Sequence, residues 1–217
     1  MKLTNVATAL VAFALLITGI PASAYPSALN LIPTAAVLLA NTAVFGYEID
    51  GHQQPFDSTG RAQTLYSQVG IDGKLEAGVD LYSFTDGNTA TLNAKYLLLE
   101  GTDELPAVAV GAFNVNKNGS PDYYLVASKT VAENLRAHLG GRAQGDQTWA
   151  QLGADYTVNN KLTLLADAQT GDGRFATLGA FYSITPELGV NLYYGLNNND
   201  KDSNFVGLYV GYTVPFK

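Results

Sequence analysis

The sequence has no cysteine, two histidines, one tryptophan and one methionine. Without cysteine, no disulfide holds the fold and no thiolate binds a metal. Two histidines, His52 and His138, are too few for a transition-metal centre, so no metal or other cofactor is expected. Charge is also scarce. Only 14% of residues are charged, against about 25% in an ordinary soluble domain. The balance is acidic, with a net charge of −7 and no basic cluster, so nucleic acid is not an expected partner. Long apolar runs are missing too. Past the N-terminus, Leu29 to Val44 comes nearest, and Asn30, Pro33 and Asn41 interrupt it. No segment there reads as a transmembrane helix.

Tyrosine and glycine are plentiful, at thirteen and 22 residues. Low charge with many tyrosines and glycines suits a surface that partly faces lipid. The first residues read as a secretory signal. Lys2 supplies the positive end, Val6 to Ile20 the apolar stretch, and Pro21-Ala22-Ser23-Ala24 a small-residue cleavage site. Residues 1–24 are therefore expected to be removed, 25–41 to form an apolar leader, and 42–217 to form the folded domain. The leader, "YPSALNLIPTAAVLLAN", is too apolar to dangle in water. It could plug a lumen, pair as an extra strand, or stay in the periplasm with a partner.

From residue 43 onward, apolar and polar residues alternate with period two. About twelve strands of roughly nine to eleven residues can be drawn, the length a tilted transmembrane strand needs. They fall near 43–50, 63–71, 74–83, 91–100, 106–115, 122–131, 134–142, 147–158, 161–170, 174–184, 187–197 and 204–214. Leu75, Ala77, Val79 and Leu81 share one face of the third; Lys74, Glu76, Gly78, Asp80 and Tyr82 share the other. The connections carry a second signal. "IDGK", "VNNK" and "ITPE" are tight, while "DGHQQPFDSTGRAQ", "FTDGNTAT", "NVNKNGSPD", "GRAQGDQ", "TGDGR" and "LNNNDKDSN" are longer and polar. Alternation of tight turns with long loops is the habit of outer-membrane barrels, with turns in the periplasm and loops outside. One segment, 130–141, also fits a capped helix through Thr130, Glu133 and Gly140. A strand is preferred there, because a closed barrel in lipid cannot skip one.

The expected fold is all-β: one antiparallel up-and-down transmembrane barrel of about twelve strands. The whole chain after residue 24 resembles small, porin-like outer-membrane β-barrels, and its final strand, with Gly207, Tyr212 and Phe216, resembles their C-terminal assembly signal. That resemblance implies a Gram-negative outer membrane, its lipid, and the barrel-assembly machinery as surroundings and partners. A narrower resemblance, through "LNLIPTAAVL", "FGYEID" and "VASKTVAENLRAHLG", is to YjbH-like barrel proteins linked to exopolysaccharide.

The inner face collects Glu48, Lys74, Glu76, Asp80, Lys95, Arg136, His138, Arg142, Asp155, Asp167 and Gln169. Tyr156, Tyr182, Tyr212 and Phe216 are expected to face lipid as an interfacial belt near the tight-turn rim. Facing water, the inner charges can select solutes; facing one another, they only stabilise a closed lumen. The two readings are a narrow channel for small polar solutes and a non-conducting structural or assembly barrel serving envelope or exopolysaccharide export. An enzyme is not expected. His52 shares its loop with Asp57 and Ser58, but no strand-borne serine pairs with either histidine at a recognisable spacing. Purified protein should show heat-modifiable migration on gels, and cells should yield it in the outer-membrane fraction. Recovery as a soluble periplasmic monomer would overturn the barrel.

Overall fold

Alternation this regular leaves each strand with one apolar and one polar side. A sheet of such strands buries one side by curling shut. The computed structural model describes residues 27–52, 61–82, 89–116 and 121–216. The proposed signal, with its cleavage site, lies outside the described residues, as do Asp57, Ser58 and Lys217.

Twelve strands follow in order: β1 (Thr42–His52), β2 (Arg61–Gly70), β3 (Leu75–Tyr82), β4 (Thr89–Leu99), β5 (Ala107–Phe113), β6 (Asp122–Ala132), β7 (Leu135–Gln144), β8 (Gln147–Thr157), β9 (Leu162–Gln169), β10 (Phe175–Ser183), β11 (Leu188–Asn197) and β12 (Phe205–Pro215). Each pairs antiparallel with its neighbours, and β1 pairs with β12 from Thr42↔Pro215 to His52↔Phe205. The sheet is a closed barrel. Closure removes both edges, so every strand's backbone groups find partners in the ladder.

The faces sort by parity. In β8, Trp149, Gln151 and Asp155 are buried, while Leu152 and Tyr156 are exposed on the outer wall. In β11, Asn191 and Tyr193 point in, and Leu192, Tyr194 and Leu196 point out. Outer leucines are bare: Leu178 is 67% exposed and Leu139 65%. The inner face of β12 has glycines because aromatic side chains of β11 and of β12 itself lie over them. A Cβ on Gly207 would collide with the Tyr193 ring.

Segment 130–141 is strand and turn. β6 runs to Ala132, Glu133 and Asn134 turn the chain, and β7 starts at Leu135. Asn134 takes φ +62°, a left-handed value that asparagine tolerates. Loop lengths are less sorted than the sequence suggests. "GRAQGDQ" is mostly strand, and Gly145-Asp146 alone join β7 to β8. On the opposite rim, residues 100–106 make a seven-residue link between β4 and β5. The turn at 71–74 is not a two-residue primed turn: Ile71 N–H donates to the Leu75 carbonyl around three residues, and only Gly73 takes positive φ, +81°. The Asp72 carboxylate accepts the amides of Leu75 at 2.7 Å and Lys74 at 2.8 Å, which holds its pKa below the ordinary range.

Ahead of β1 the chain lies inside the barrel. Leu29 N–H donates to the Ile32 carbonyl and Thr34 N–H to the Ser27 carbonyl, both at 2.8 Å, closing a tight reversal around Asn30 and Leu31. Leu29 and Ile32 pack on Leu165, Phe181 and Tyr209. Ala35 packs on Ala109, Tyr124 and Val126. Burial of Leu29 and Ile32 contributes roughly 1.5–3 kcal/mol each. Gly153 makes room for them, since a Cβ there would strike Leu29.

The bare leucines generate a test. Leu152→Arg and Leu178→Arg, near mid-strand on the outer wall, should each cost about 2–4 kcal/mol on unfolding from lipid vesicles. On a wet surface such exposed positions would change stability by about 0.5 kcal/mol or less.

Candidate functional site

A polypeptide segment inside a barrel brings backbone N–H and C=O groups that its own fold does not pair. They need partners from the wall. The inner-facing charges supply them. Lys95 Nζ, on β4, donates to the Ser27 carbonyl at 2.6 Å and the Ala36 carbonyl at 2.8 Å. Glu76, across the β3–β4 ladder from Lys95, accepts Leu38 N–H at 3.0 Å and sits 3.8 Å from the ammonium. Asp167 Oδ2, on β9, accepts Asn30 N–H at 2.8 Å and Leu31 N–H at 3.0 Å. Its Oδ1 accepts the Thr177 hydroxyl, which in turn accepts Asn30 Nδ2, both at 2.8 Å. Asn191 Nδ2 completes the clamp on Asn30 Oδ1 at 3.0 Å.

On β6 to β8, between β4 and β9, a polar row runs from the segment along the wall. Ser128 Oγ accepts Ala35 N–H at 2.8 Å and lies 2.7 Å from His138 Nδ1. His138 Nε2 lies 2.8 Å from Asp155 Oδ2, and Arg136 Nε lies 3.0 Å from both Asp155 oxygens. A strand-borne serine does pair with His138, contrary to the sequence expectation. The β6–β7 register sets Ser128 opposite His138, a pairing visible only once the turn at Glu133-Asn134 is fixed. Ser, His and Asp in a row suggest a nucleophile and its base. Here the serine is committed to the backbone of the segment, and the row holds Ala35. The main chain of His52 pairs in β1 with Phe205, far along the chain from this row.

Other wall charges are engaged without touching the segment. Arg142 on β7 bonds Asp122 on β6, with Nε 2.6 Å from Oδ1, and lies over the Phe113 and Trp149 rings at 5.0 and 5.4 Å. Glu48 accepts the hydroxyls of Tyr66 and Tyr193. Asp80 accepts Asn93 Nδ2 and, at 3.4 Å, the Tyr82 hydroxyl. Gln169 is half-buried at the end of β9, across from Gln151. Lys74 does not join the lumen. It precedes β3 in the turn, is half-exposed, and pairs with Glu100 at 3.1 Å, which raises its pKa. Tyr156, Tyr182 and Tyr212 stand exposed on the outer wall toward the tight-turn rim, with Phe216 just past β12. Tyr123 and Tyr194 lie outside nearer the other rim, and Tyr47 stands outside at mid-strand. Among the described residues, no cluster of three or more histidine or acidic side chains could hold a metal ion.

No family model and no curated protein matches the sequence. Solved structures match in shape. A structure of the KdgM porin aligns with a TM-score of 0.58 at 13% identity, over 80% of this chain and 99% of that one. KdgM in complex with disordered oligogalacturonate aligns with 0.57 at 13% identity, over 81% and 99%. The outer membrane protein Omp33 of Acinetobacter baumannii aligns with 0.53 at 12% identity, over 81% and 99%. The fold is thus that of a small porin-like barrel of the outer-membrane type.

Lys95 is the sharpest probe of how the segment is held. Lys95→Met leaves the buried Glu76 carboxylate without its cation and should cost about 3–5 kcal/mol. The double change Lys95→Met/Glu76→Gln removes both charges and should recover much of that loss. Denaturant unfolding checks the energies, and limited proteolysis within 27–40 checks release of the segment. Equal losses in both variants would show that the pair does not act as a unit.

Proposed function

We propose that this chain is an outer-membrane channel for small polar solutes, held closed by residues 27–40 acting as a plug. The observation that carries the reading is the inner wall. Trp149 Nε1 and both amide atoms of Gln151 are buried without hydrogen-bond partners, on a lining that also holds Glu48, Asp80, Asp155 and Asp167. A dry, packed core avoids such groups; a hydrated lumen satisfies them with water. The plug is gripped by polar side chains on its backbone, a kind of contact that water can replace when the plug withdraws. Cleavage after Ala24 would leave only Tyr25 and Pro26 ahead of Ser27, making the plug the N-terminus of the exported chain. The outer tyrosines would sit at the two lipid interfaces, and the last strand would be read by the assembly machinery. The mixed charges of the wall would then line the open path.

A second reading has its own support. Lys95–Glu76, Arg136–Asp155 and Arg142–Asp122 neutralise one another. A lumen so balanced and filled also suits a non-conducting barrel that serves envelope assembly or exopolysaccharide export.

Planar-bilayer conductance separates the two. The intact barrel should conduct weakly or not at all, and deletion of residues 27–39 should open it. In case the deletion fails to fold, Asn30→Cys/Thr177→Cys offers a reversible check, because the chain has no other thiol. A short reducible cross-linker between them should hold the pore shut, and reduction should restore openings. Silence in every form, from protein that migrates as a folded barrel, would favour the non-conducting reading.

A further inference from the structure

Between the tip of the plug and the long-loop rim lies a cavity of about 180 Å³. Residues 28–33 form one side, and Glu48, Tyr66, Asp80, Phe113, Arg142 and Asn191 are among the residues around it. Asp80 is 2% exposed and Asn191 3%. Asp80 Oδ1 and Asn191 Oδ1 have no hydrogen-bond partner. The rest of each group is already fixed. Asp80 Oδ2 accepts from Asn93 and Tyr82, and Asn191 Nδ2 donates to Asn30. Both unused atoms are therefore acceptors.

Charge points the same way. Glu48 puts a second carboxylate on the cavity, held by the two tyrosine hydroxyls. Among the described residues, neither Glu48 nor Asp80 forms an ion pair with a lysine or arginine. Arg142, the one basic side chain among the described residues of the lining, is bound to Asp122. A buried carboxylate without a cation is costly. The aromatic faces of Tyr66 and Phe113 favour positive charge as well.

We infer that this cavity binds a small primary-ammonium compound, with the ammonium at Asp80 and a second N–H or O–H donor at Asn191. An ammonium offers three donors and no acceptor, which complements a site that only accepts. Its bond to Asp80 is charge-assisted. A neutral polyol could satisfy the acceptors but not the charge, and an anion would meet two carboxylates. The inference names a solute class for the proposed channel and rests on that reading for its route, though binding itself needs no conduction.

Calorimetry on the full barrel in detergent tests it, with putrescine, glucosamine, glucose and galacturonate as probes. The two amines should bind, and glucose and galacturonate should not. Asp80→Asn should weaken amine binding about tenfold, and Glu48→Gln, which keeps shape and tyrosine contacts, severalfold. Heat-modifiable migration confirms that each variant is folded. Preference for galacturonate would make Arg142 the determinant and overturn the inference. Equal binding of glucose, no binding of any probe, or an unchanged affinity in Asp80→Asn would also overturn it. Amine binding without conductance in any form would leave the site standing and remove the channel. Conductance without amine binding would do the reverse.

Discussion

Closure of β1 on β12 is the constraint from which the rest of the molecule follows. A bilayer offers no water to an open sheet edge, so the ladder must return to its start. Once it does, one face of every strand belongs to the outside and the other to a confined lumen. The outer face then needs apolar side chains for lipid, and Leu139, Leu152, Leu178 and Leu192 stand there bare. The inner face is narrow enough for side chains of different strands to meet, as Tyr193 does over Gly207.

Confinement also sets the electrostatics. Charges inside a small barrel are close enough to find one another or a backbone group. Lys95 and Glu76 lie opposite in the β3–β4 ladder, and Arg136 and Asp155 in the β7–β8 ladder. These strand neighbours divide basic and acidic residues between them, which the sequence shows as separate clusters. Each pair has a second task on residues 27–40 or on a neighbouring residue. Lys95 takes two carbonyls, Glu76 an amide, and Asp155 the histidine that orients Ser128. Residues 27–40 therefore sit where acceptors and donors already face inward, and Leu29, Ile32 and Ala35 add apolar contacts with the wall.

The cavity above the plug differs in kind from these pairs. Asp80 Oδ2 and Glu48 accept from neutral donors, Asp80 Oδ1 has no partner, and Arg142 is bound to Asp122. The wall that pairs its charges at Lys95–Glu76 and Arg136–Asp155 carries two acids, Glu48 and Asp80, on the loop side of residues 27–40. That asymmetry gives the lumen a direction: the polar grip on the backbone lies below, and the acceptor-rich chamber lies toward the long loops.

The sequence by itself determined the strands, their number and their faces. Period-two alternation is a local property, and seven to eleven residues per strand are enough to display it. It placed Glu76, Asp80, Lys95, Asp155 and Asp167 inward and Leu152 and Tyr156 outward. Composition alone set the absence of disulfides. Only the tertiary structure decided who meets whom. Parity gives a face but not a height, so Lys74 was grouped with the lumen although it sits in a turn at the rim. Register depends on where each turn closes. Gly145-Asp146 turn two strands tightly where the sequence reads a longer loop, and Glu133-Asn134 bring Ser128 to His138. The place of residues 27–41 was open for the same reason. An apolar leader suits a lumen, an extra strand or a partner equally well, and what sets residues 27–40 inside the barrel is the position of Lys95, Asp167 and Ser128 around a closed wall, which no local pattern encodes.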